Sequence, residues 1–209
     1  MIGNQTHNQS IIVKEFSLEE NYTAQFILVF IKTTLPEFEV IFKQSGIAIH
    51  KEDDISKELS KFFNDKARTQ NLFFQFNEKK GVDFTIFVTP YKMGAQSIFM
   101  VEAKRLSKSH YDYVTGPTGG IERFKKEQDD FGVHLNYGAM IGYIQDGNHE
   151  YWHNRINSWI EDLINNESDI VWSKDDKLIP NPDLCNYISM HSRVSTSSIT
   201  LFHYWISLS

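Results

Sequence analysis

Three charged residues border two neighbouring apolar segments, and their types suit metal-assisted chemistry. Asp83 precedes the mainly apolar residues 84–88, while Glu102 and Lys104 follow the apolar residues 98–101. Alternate residues of a strand share a face, so Glu102 and Lys104 are predicted to point together, and a hairpin would bring Asp83 beside them. Two carboxylates can hold Mg²⁺ or Mn²⁺, which lowers the pKa of bound water and offsets charge on a phosphate. We therefore predict that all three are catalytic: Asp83 and Glu102 bind the metal, and Lys104 holds the water and contacts the phosphate.

The Glu-x-Lys spacing is common in proteins, and its surroundings are what give it weight here. Glu78 and Lys80 repeat the spacing inside a polar turn. Glu102 and Lys104 instead end an apolar strand, where charged groups are costly unless they are paired or bind a metal. The spacing leaves one alternative open, a surface salt bridge between Asp83 and Lys104 that flanks the sheet.

The elements that must position these residues are predicted from apolar periodicity and from helix start and stop signals. A capping box from Ser17 to Glu20 predicts a first helix that runs to about Lys32 and ends before Pro36. Apolar residues at three- and four-residue spacing predict a second helix over residues 53–68. Strands are predicted over residues 38–42, 47–49, 72–76, 82–88, 98–103, 137–144 and 199–208, and further helices over residues 121–130 and 149–164. This order predicts an α/β fold in which a mixed central sheet is flanked by helices.

Length, cysteine content and charge narrow the classes of protein. The 209 residues are enough for one substantial core, so a single domain over the whole chain is predicted. One cysteine, Cys185, excludes an intrachain disulfide and favours a reducing setting. The N-terminal residues 1–10 do not resemble a signal peptide, and the longest apolar run, residues 26–31, is too short to cross a membrane, so a cytoplasmic protein without a membrane partner is expected. A net charge of −6 argues against a strong stand-alone DNA-binding protein.

In the order of these elements and motifs the chain resembles the restriction-endonuclease-like, or PD-(D/E)xK, nuclease superfamily. The family pattern has a strand with Asp, a strand that ends in Glu-x-Lys, and then a helix with polar residues facing the site. The matching pieces here are Asp83 and Glu102-Ala103-Lys104, and the match covers residues 51–144 as the catalytic core. The resemblance implies a restriction-endonuclease-like fold and cleavage of phosphodiester bonds in DNA or RNA with Mg²⁺ or Mn²⁺. It also implies the Ala103 carbonyl as a third metal ligand.

The family pattern also contains an acidic residue on the preceding helix, which falls here on Glu52 or on Glu58. Residues 52–56 resemble the Glu-x-x-Ile-Ser/Thr entry to that helix in relatives, which favours Glu52 as a fourth catalytic residue that completes the metal shell. The alternative for Glu52 is a solvated acidic first turn stabilised by the helix dipole. This chain departs from the family pattern at Val82, which stands where the family has Pro.

A glycine-rich loop before the third predicted helix is interpreted as a phosphate contact. Two glycines ahead of a helix leave its first N–H groups open to an anion, and basic residues follow in the same turn. The alternative is a flexible loop with an N-terminal cap. The predicted nucleic-acid-binding residues are Arg105, Lys108, Gly119, Gly120, Arg123 and Lys125.

A second motif competes with this interpretation, since residues 149–153 match H-E-x-x-H. His149 and His153 one helical turn apart can bind zinc, and Glu150 can activate the water. The motif directly follows a turn and lacks a third His at the usual spacing, and Trp152 belongs to the apolar stripe of the helix. A zinc-dependent metalloprotease is therefore the alternative function, together with a nuclease-fold module that binds without cutting.

Further expectations concern partners and the remaining reactive residues. Nucleic acid is the expected substrate, and a homodimer or a partner subunit is expected to supply affinity or specificity that the acidic chain lacks. A role in bacterial antiviral defence is expected by analogy alone. His191 and His203 are predicted to be hydrogen-bonded structural histidines, and Cys185 a small buried residue.

Overall fold

A seven-stranded mixed sheet flanked by four helices is formed by the residues that the computed structural model describes, 18–46, 51–78, 81–90, 92–107, 111–166 and 168–208. The helices are α1 (Leu18–Ser45), α2 (Glu52–Ala67), α3 (Gly120–Lys126) and α4 (His149–Asn165). The strands are β1 (Leu72–Phe76), β2 (Phe84–Val88), β3 (Phe99–Leu106), β4 (Tyr137–Ile144), β5 (Ile179–Pro180), β6 (Tyr187–Ser192) and β7 (Ser198–Ser207). The predicted α/β class with a mixed sheet is confirmed.

The sheet has the order β1-β2-β3-β4-β7-β6-β5. The central strands β3, β4 and β7 are parallel to one another, and antiparallel strands extend the sheet on both sides. Nearly every residue of these three strands is buried, as expected for parallel strands covered on both faces. A charged side chain in the middle of β3 is therefore enclosed by protein on most sides.

Two apolar layers cover the sheet, one on each face. Helices α1 and α2 cover one face with an aromatic cluster in which the rings of Phe30, Phe63 and Phe74 lie 4.9–5.7 Å apart. On the other face, Trp152 and Trp159 of α4 pack against β4, β7 and the segment that contains α3. Full burial of each such ring stabilises the fold by roughly 2–3 kcal/mol, which holds the helices in fixed positions over the sheet.

The first helix is longer than predicted. It continues past Lys32 and through Pro36 to Ser45, so the predicted strand over residues 38–42 is wrong. A proline inside a helix costs about 3 kcal/mol, but here Leu35 and Phe38 on either side of it are buried against the core. Burial of these side chains offsets the cost, so tertiary packing overrides the local stop signal. The predicted cap at Ser17 and the strand over residues 47–49 lie outside the described residues.

Most other predicted elements are confirmed with shifted ends. Strands β1 and β4 have the predicted bounds, α2 begins and ends one residue earlier than predicted, and α4 ends one residue later. Strand β3 extends to Leu106, three residues beyond its predicted end. Helix α3 stops at Lys126, because Glu127 takes a left-handed conformation with φ of 53°, and a short 3₁₀ turn at Gln128–Asp130 follows. None of the helices in the described ranges has the length and apolarity needed to cross a membrane.

Strands β5 and β6 were not predicted. In β6 the inward-facing residues Ser189 and His191 are polar, whereas Met190 between them is exposed. The usual alternation of apolar and polar residues is thus reversed at these positions. Strand β5 has only two residues, too few for a periodic pattern.

Candidate active site

The β2–β3 hairpin brings the two predicted metal-binding carboxylates together. The strands pair antiparallel, with Phe84 opposite Val101 as the last paired residues. One residue further, the backbone N–H of Asp83 donates to Glu102 Oε2 at 3.2 Å. The predicted hairpin, and the approach of Asp83 to Glu102, are confirmed.

Asp83 is held by the backbone of the neighbouring strand. Its Oδ2 accepts a hydrogen bond of 2.7 Å from the N–H of Ala103. Burial raises the pKa of the Asp83 carboxyl well above its usual range, and the negative charge of Glu102 raises it further. Oδ1 has no partner within the described part of the chain, so this oxygen is free to accept a cation or a proton.

Lys104 lies between two carboxylates. Its Nζ is 2.7 Å from Glu102 Oε1 and 3.1 Å from Glu52 Oε1. Burial by itself lowers the pKa of this lysine, but the surrounding carboxylates outweigh it, and the pKa is raised above its usual range. Lys104 is therefore a buried ammonium ion at neutral pH, able to donate hydrogen bonds and unable to act as a base.

Glu52 at the start of α2 completes this group, and Glu58 does not. Glu52 Oε2 accepts a hydrogen bond of 2.7 Å from the N–H of Arg105, while Oε1 accepts one from Lys104. Glu58 instead pairs with Lys61 on the surface at 2.7 Å. The structure thus selects Glu52 from the two carboxylates that the sequence left open.

A buried hydrogen bond fixes α2 relative to the sheet one helical turn beyond Glu52. Ser56 Oγ lies 3.0 Å from the hydroxyl of Tyr143 on β4, and both groups are buried. Because residues four apart lie on the same face of a helix, this contact holds the face of α2 that carries Glu52 toward Lys104.

Arg123 of α3 brings a second cation to Glu102. Its guanidinium donates to Glu102 Oε1 at 3.3 Å and to the carbonyl of Gly81 at 3.2 Å. The same group lies over the ring of Phe131, 4.0 Å from its centroid. The side chain of Arg123, a predicted nucleic-acid contact, thus reaches the Glu102 carboxylate and is largely buried there.

These residues line a cavity of about 320 Å³. Seven acidic and two basic side chains contribute to its wall. Among the acidic ones, Asp53, Glu78, Asp112 and Asp129 were not predicted as site residues. Asp53 lies in the acidic first turn of α2, and the other three lie in a bend or in short 3₁₀ turns, where no periodic pattern marks a side chain as facing a site. The wall is formed by the residues Glu52, Asp53, Asn77, Glu78, Gly81, Asp83, Glu102, Lys104, Asp112, Pro117, Thr118, Arg123, Gln128 and Asp129.

The chemistry of this wall suits a hard divalent cation. Carboxylate oxygens are the ligands that Mg²⁺ and Mn²⁺ prefer, and the excess of acidic side chains repels a phosphate unless a cation is added. As the side chains stand, no three His, Cys, Asp or Glu residues of the described ranges are arranged to hold a metal. Both oxygens of Glu102 are already occupied, because they accept from Lys104, Arg123 and the N–H of Asp83. Asp83, Glu52 and Glu102 are the residues that could hold the ion.

The glycine-rich loop that was predicted to contact phosphate serves to pack α3 closely against its neighbours. A Cβ on Gly119 would lie 2.4 Å from the Thr115 carbonyl carbon, and one on Gly120 would lie 2.4 Å from Met140 Cε. Both glycines are buried, and the N–H of Glu122 already donates to the carbonyl of Val114 at 2.9 Å. The glycines allow α3 to approach its neighbours closely, so the prediction that they bind nucleic acid is not supported.

Among the described residues, the predicted basic surface is also smaller than expected. Lys125 is buried, pairs with Asp176 at 2.5 Å and lies over the ring of Trp172, so it is wrong as a contact for nucleic acid. The side chain of Arg105 is exposed. Lys108 lies outside the described residues.

The H-E-x-x-H motif at the start of α4 is engaged in packing. His153 Nε2 lies 2.9 Å from the carbonyl oxygen of Leu178, and its ring stacks on Tyr187 with centroids 4.5 Å apart. The ring of His149 contacts Trp205. No carboxylate pairs with either histidine among the described residues, so the arrangement expected of a zinc site is not seen there.

A buried hydrogen-bonded chain accounts for the remaining histidines. Asp176 Oδ1 lies 2.6 Å from His191 Nδ1, and Ser189 Oγ bridges His191 and His203 at 2.6 and 2.7 Å. His203 in turn contacts the hydroxyl of Tyr113 at 2.7 Å. The Asp-His-Ser contact resembles a hydrolytic triad in its order, but all three side chains are buried. Both histidines are structural, as predicted.

The single cysteine is likewise buried. Cys185 Sγ lies 2.8 Å from the carbonyl oxygen of Tyr187, and burial raises the pKa of the thiol to about 12. The thiolate that a nucleophile needs is thus disfavoured, in agreement with the predicted structural role.

Comparisons with protein-family models, with curated proteins and with solved structures found no match to this chain.

Proposed function

We propose that this chain is a Mg²⁺- or Mn²⁺-dependent nuclease of the restriction-endonuclease-like type, with Asp83, Glu102 and Lys104 as its catalytic residues and Glu52 as a fourth. The observation that carries the proposal is the meeting of these four side chains at one cavity from three separate elements. A Glu-x-Lys spacing that arises by chance would leave its lysine on the surface, paired with exposed partners. Lys104 is instead buried among three carboxylates, and a buried charge must be compensated.

The order of the elements supports the same proposal. A helix with Glu52, a strand preceded by Asp83, a strand with Glu102 and Lys104, and a helix with Arg123 follow one another in the chain. This is the order of the superfamily pattern that the sequence resembles. The acidic wall supports metal dependence, since the carboxylates alone would repel the phosphate that they are proposed to act on.

In the proposed mechanism Lys104 remains protonated throughout. Its ammonium group donates to a phosphate oxygen and to the attacking water, because its raised pKa excludes a role as the base. Asp83 Oδ1, for which the described residues provide no hydrogen-bond partner, is the group that takes the proton from that water. The water oxygen forms the new bond to phosphorus as the bond to the leaving oxygen breaks, and the leaving oxygen takes a proton from solvent. When bound, the divalent ion acidifies the water and offsets charge on the phosphate.

A second candidate is a module of the same fold that binds nucleic acid without cutting it. The contacts of Lys104 and Arg123 with Glu102 favour this candidate, because they occupy the carboxylate oxygens that a metal would use. The two candidates differ in whether a divalent ion displaces these contacts.

The test is a cleavage assay of the full chain on closed circular DNA, single-stranded DNA and RNA with Mg²⁺, Mn²⁺ or EDTA. The expected result is metal-dependent cleavage that Glu102→Ala or Lys104→Ala reduces by about 100-fold or more. Glu58→Ala on the outer face of α2 is the matched control, and His153→Ala tests the zinc motif. Cleavage that survives both Glu102→Ala and Lys104→Ala would contradict the proposed site. Binding of nucleic acid without cleavage would favour the second candidate.

A further inference from the structure

The outer face of α1 carries a continuous uncharged stripe. Its members follow one another at spacings of 4, 3, 4, 3 and 4 residues, and they are Tyr22, Phe26, Val29, Thr33, Pro36 and Val40. This alternation of three and four is the spacing of a coiled-coil seam, in which apolar residues recur about every 3.5 residues along one side of a helix. The inner face of α1 is already used, since Ile27, Ile31 and Leu35 are buried against the sheet.

The stripe is exposed in the single chain. Tyr22 is 76 % exposed and Val40 53 %, and Phe26 and Val29 are each more than two-fifths exposed. Ile41 beside the stripe is also half exposed. An ordinary surface helix has a polar outer face, and a contiguous exposed apolar stripe marks an interaction surface.

The one polar side chain in the middle of the stripe has its hydroxyl turned inward. Thr33 Oγ1 donates to the carbonyl of Val29 at 2.9 Å and lies 3.1 Å from that of Phe30. Because the hydroxyl is satisfied within the helix, the residue can present its methyl group to a partner without leaving a polar atom unpaired. The stripe is thus fit for a dry interface along its whole length.

We infer that the outer face of α1 is an interface between two copies of this chain. The stripe is complementary to itself when two α1 helices pair antiparallel about a point near residue 31. Tyr22 then lies opposite the partner subunit's Val40, and Phe26 opposite the partner subunit's Pro36, so that a large side chain meets a smaller one at each end. The pairing needs no second surface, as a two-fold interface requires.

The exposed apolar area on the outer face of α1 is large enough for a dimer interface. A whole aromatic side chain exposes about 150–250 Å², and Val and Ile proportionally less. On this basis the exposed parts of Tyr22, Phe26, Val29, Val40 and the flanking Ile41 amount to roughly 500 Å² in each copy. Two copies then bury on the order of 1,000 Å² when these side chains are fully covered, and this reaches the lower bound for a specific interface. The inference does not rest on the proposed nuclease function, because the oligomeric state is measured without substrate.

The test is light scattering coupled to size-exclusion chromatography of the full chain over a dilution series. A dimer is expected for the unmodified protein. Val29→Glu places a charge at the centre of the interface and is expected to raise the dissociation constant about tenfold or more. Val171→Glu is the matched control, since Val171 is 79 % exposed in a loop away from α1, and this variant should dimerise normally.

Thr33→Arg is a second variant that alters only an exposed position, and circular dichroism melting of each variant shows whether the fold is kept. Loss of the dimer in folded Val29→Glu and Thr33→Arg, with an intact dimer in Val171→Glu, supports the inference. A monomer at every concentration overturns it, whether residues 1–17 or a different protein cover the stripe. A dimer that both α1 variants leave unchanged overturns it as well, because the interface must then lie elsewhere.

Discussion

The backbone N–H of Asp83 donates to the carboxylate of Glu102 at 3.2 Å, so the two acidic residues of the cavity are joined through the main chain as well as by the pairing of their strands. Asp83 in turn accepts from the N–H of Ala103 at 2.7 Å. Main-chain donors stabilise the ionised form of a carboxyl group, and they fix the direction in which its remaining oxygens point. The site is therefore preorganised by β2 and β3 themselves.

We expect Asp83→Asn to stabilise the fold while it removes activity. The Asp83 carboxyl is buried beside Glu102, and both conditions disfavour its negative charge. An amide keeps an acceptor for the N–H of Ala103 and removes the repulsion, so the melting temperature is expected to rise by a few degrees. Thermal unfolding with and without Mn²⁺ measures the effect, since stabilisation by the metal should be largely lost in the variant. A lower melting temperature in the metal-free variant would contradict the expected repulsion.

Replacing Lys104 by Met removes a buried cation and leaves its carboxylate partners uncompensated. The expected loss in the free energy of unfolding is about 3 kcal/mol or more. Lys61→Met breaks the surface pair with Glu58 and should cost no more than about 1 kcal/mol. Denaturant unfolding compares the two variants. Adding Mn²⁺ should restore part of the stability of Lys104→Met, because a divalent ion supplies the missing positive charge, without restoring cleavage.

Glu52→Gln and Glu58→Gln form a matched pair on one helix. Glutamine at residue 52 can still accept from the N–H of Arg105, so the fold should be kept, while a negative charge beside Lys104 is lost. We expect cleavage to fall by roughly 10- to 100-fold and the metal concentration for half-maximal activity to rise. Glu58→Gln should retain normal activity. Equal effects of the two changes on a metal titration would contradict the assignment of Glu52.

Acid is expected to destabilise the protein through its buried histidines. Burial lowers the pKa of His203 well below its ordinary value of 6.5 and also lowers that of His191, despite the nearby Asp176. The unfolded chain therefore binds protons more readily than the folded one. The histidine contribution to the free energy of unfolding is complete above about pH 6.5 and falls at lower pH by up to about 1.4 kcal/mol per pH unit for each histidine.

Urea unfolding between pH 8 and pH 5 measures the slope of the free energy of unfolding against pH. His203→Gln should reduce this slope. Lys125 and Arg193 also lower the pKa of His191 by their charge, so the slope should persist in part when only His203 is replaced. The same change at His153, which is only half-buried and stacks on Tyr187, is the control. An unchanged slope in His203→Gln would show that other groups dominate the acid response.

The glycines before α3 are expected to differ in their tolerance of a side chain. A Cβ at Gly119 would meet the backbone of Thr115, which cannot move without distorting the turn, whereas one at Gly120 would meet the flexible end of Met140. Gly119→Ala should therefore cost about 2 kcal/mol or more, and Gly120→Ala clearly less. Thermal unfolding of the two variants measures these losses of stability. If either change reduced the free energy of phosphate binding by more than the free energy of unfolding, the predicted anion contact would be supported instead.

The sequence by itself determined the elements with strong local patterns and the two strands that carry the central residues. The stripe of α2, the apolar runs of β2 and β3, and the charges that border them are local features, so Asp83, Glu102 and Lys104 could be singled out together. Strand β6 could not be recognised from the sequence because its inward-facing residues are polar. The proline in α1 predicted a helix end at a position where packing maintains the helix.

Only the tertiary structure decided which distant residues join the site. Glu52 and Glu58 both lie on α2, and only the position of that helix against β3 and β4 directs Glu52 toward Lys104. Lys125 and Arg123 are two residues apart on α3, and the same packing buries one against Asp176 and turns the other toward Glu102. The physical reason is that charge and spacing along the chain are local, whereas the burial and pairing of a charge depend on surfaces brought together from distant segments.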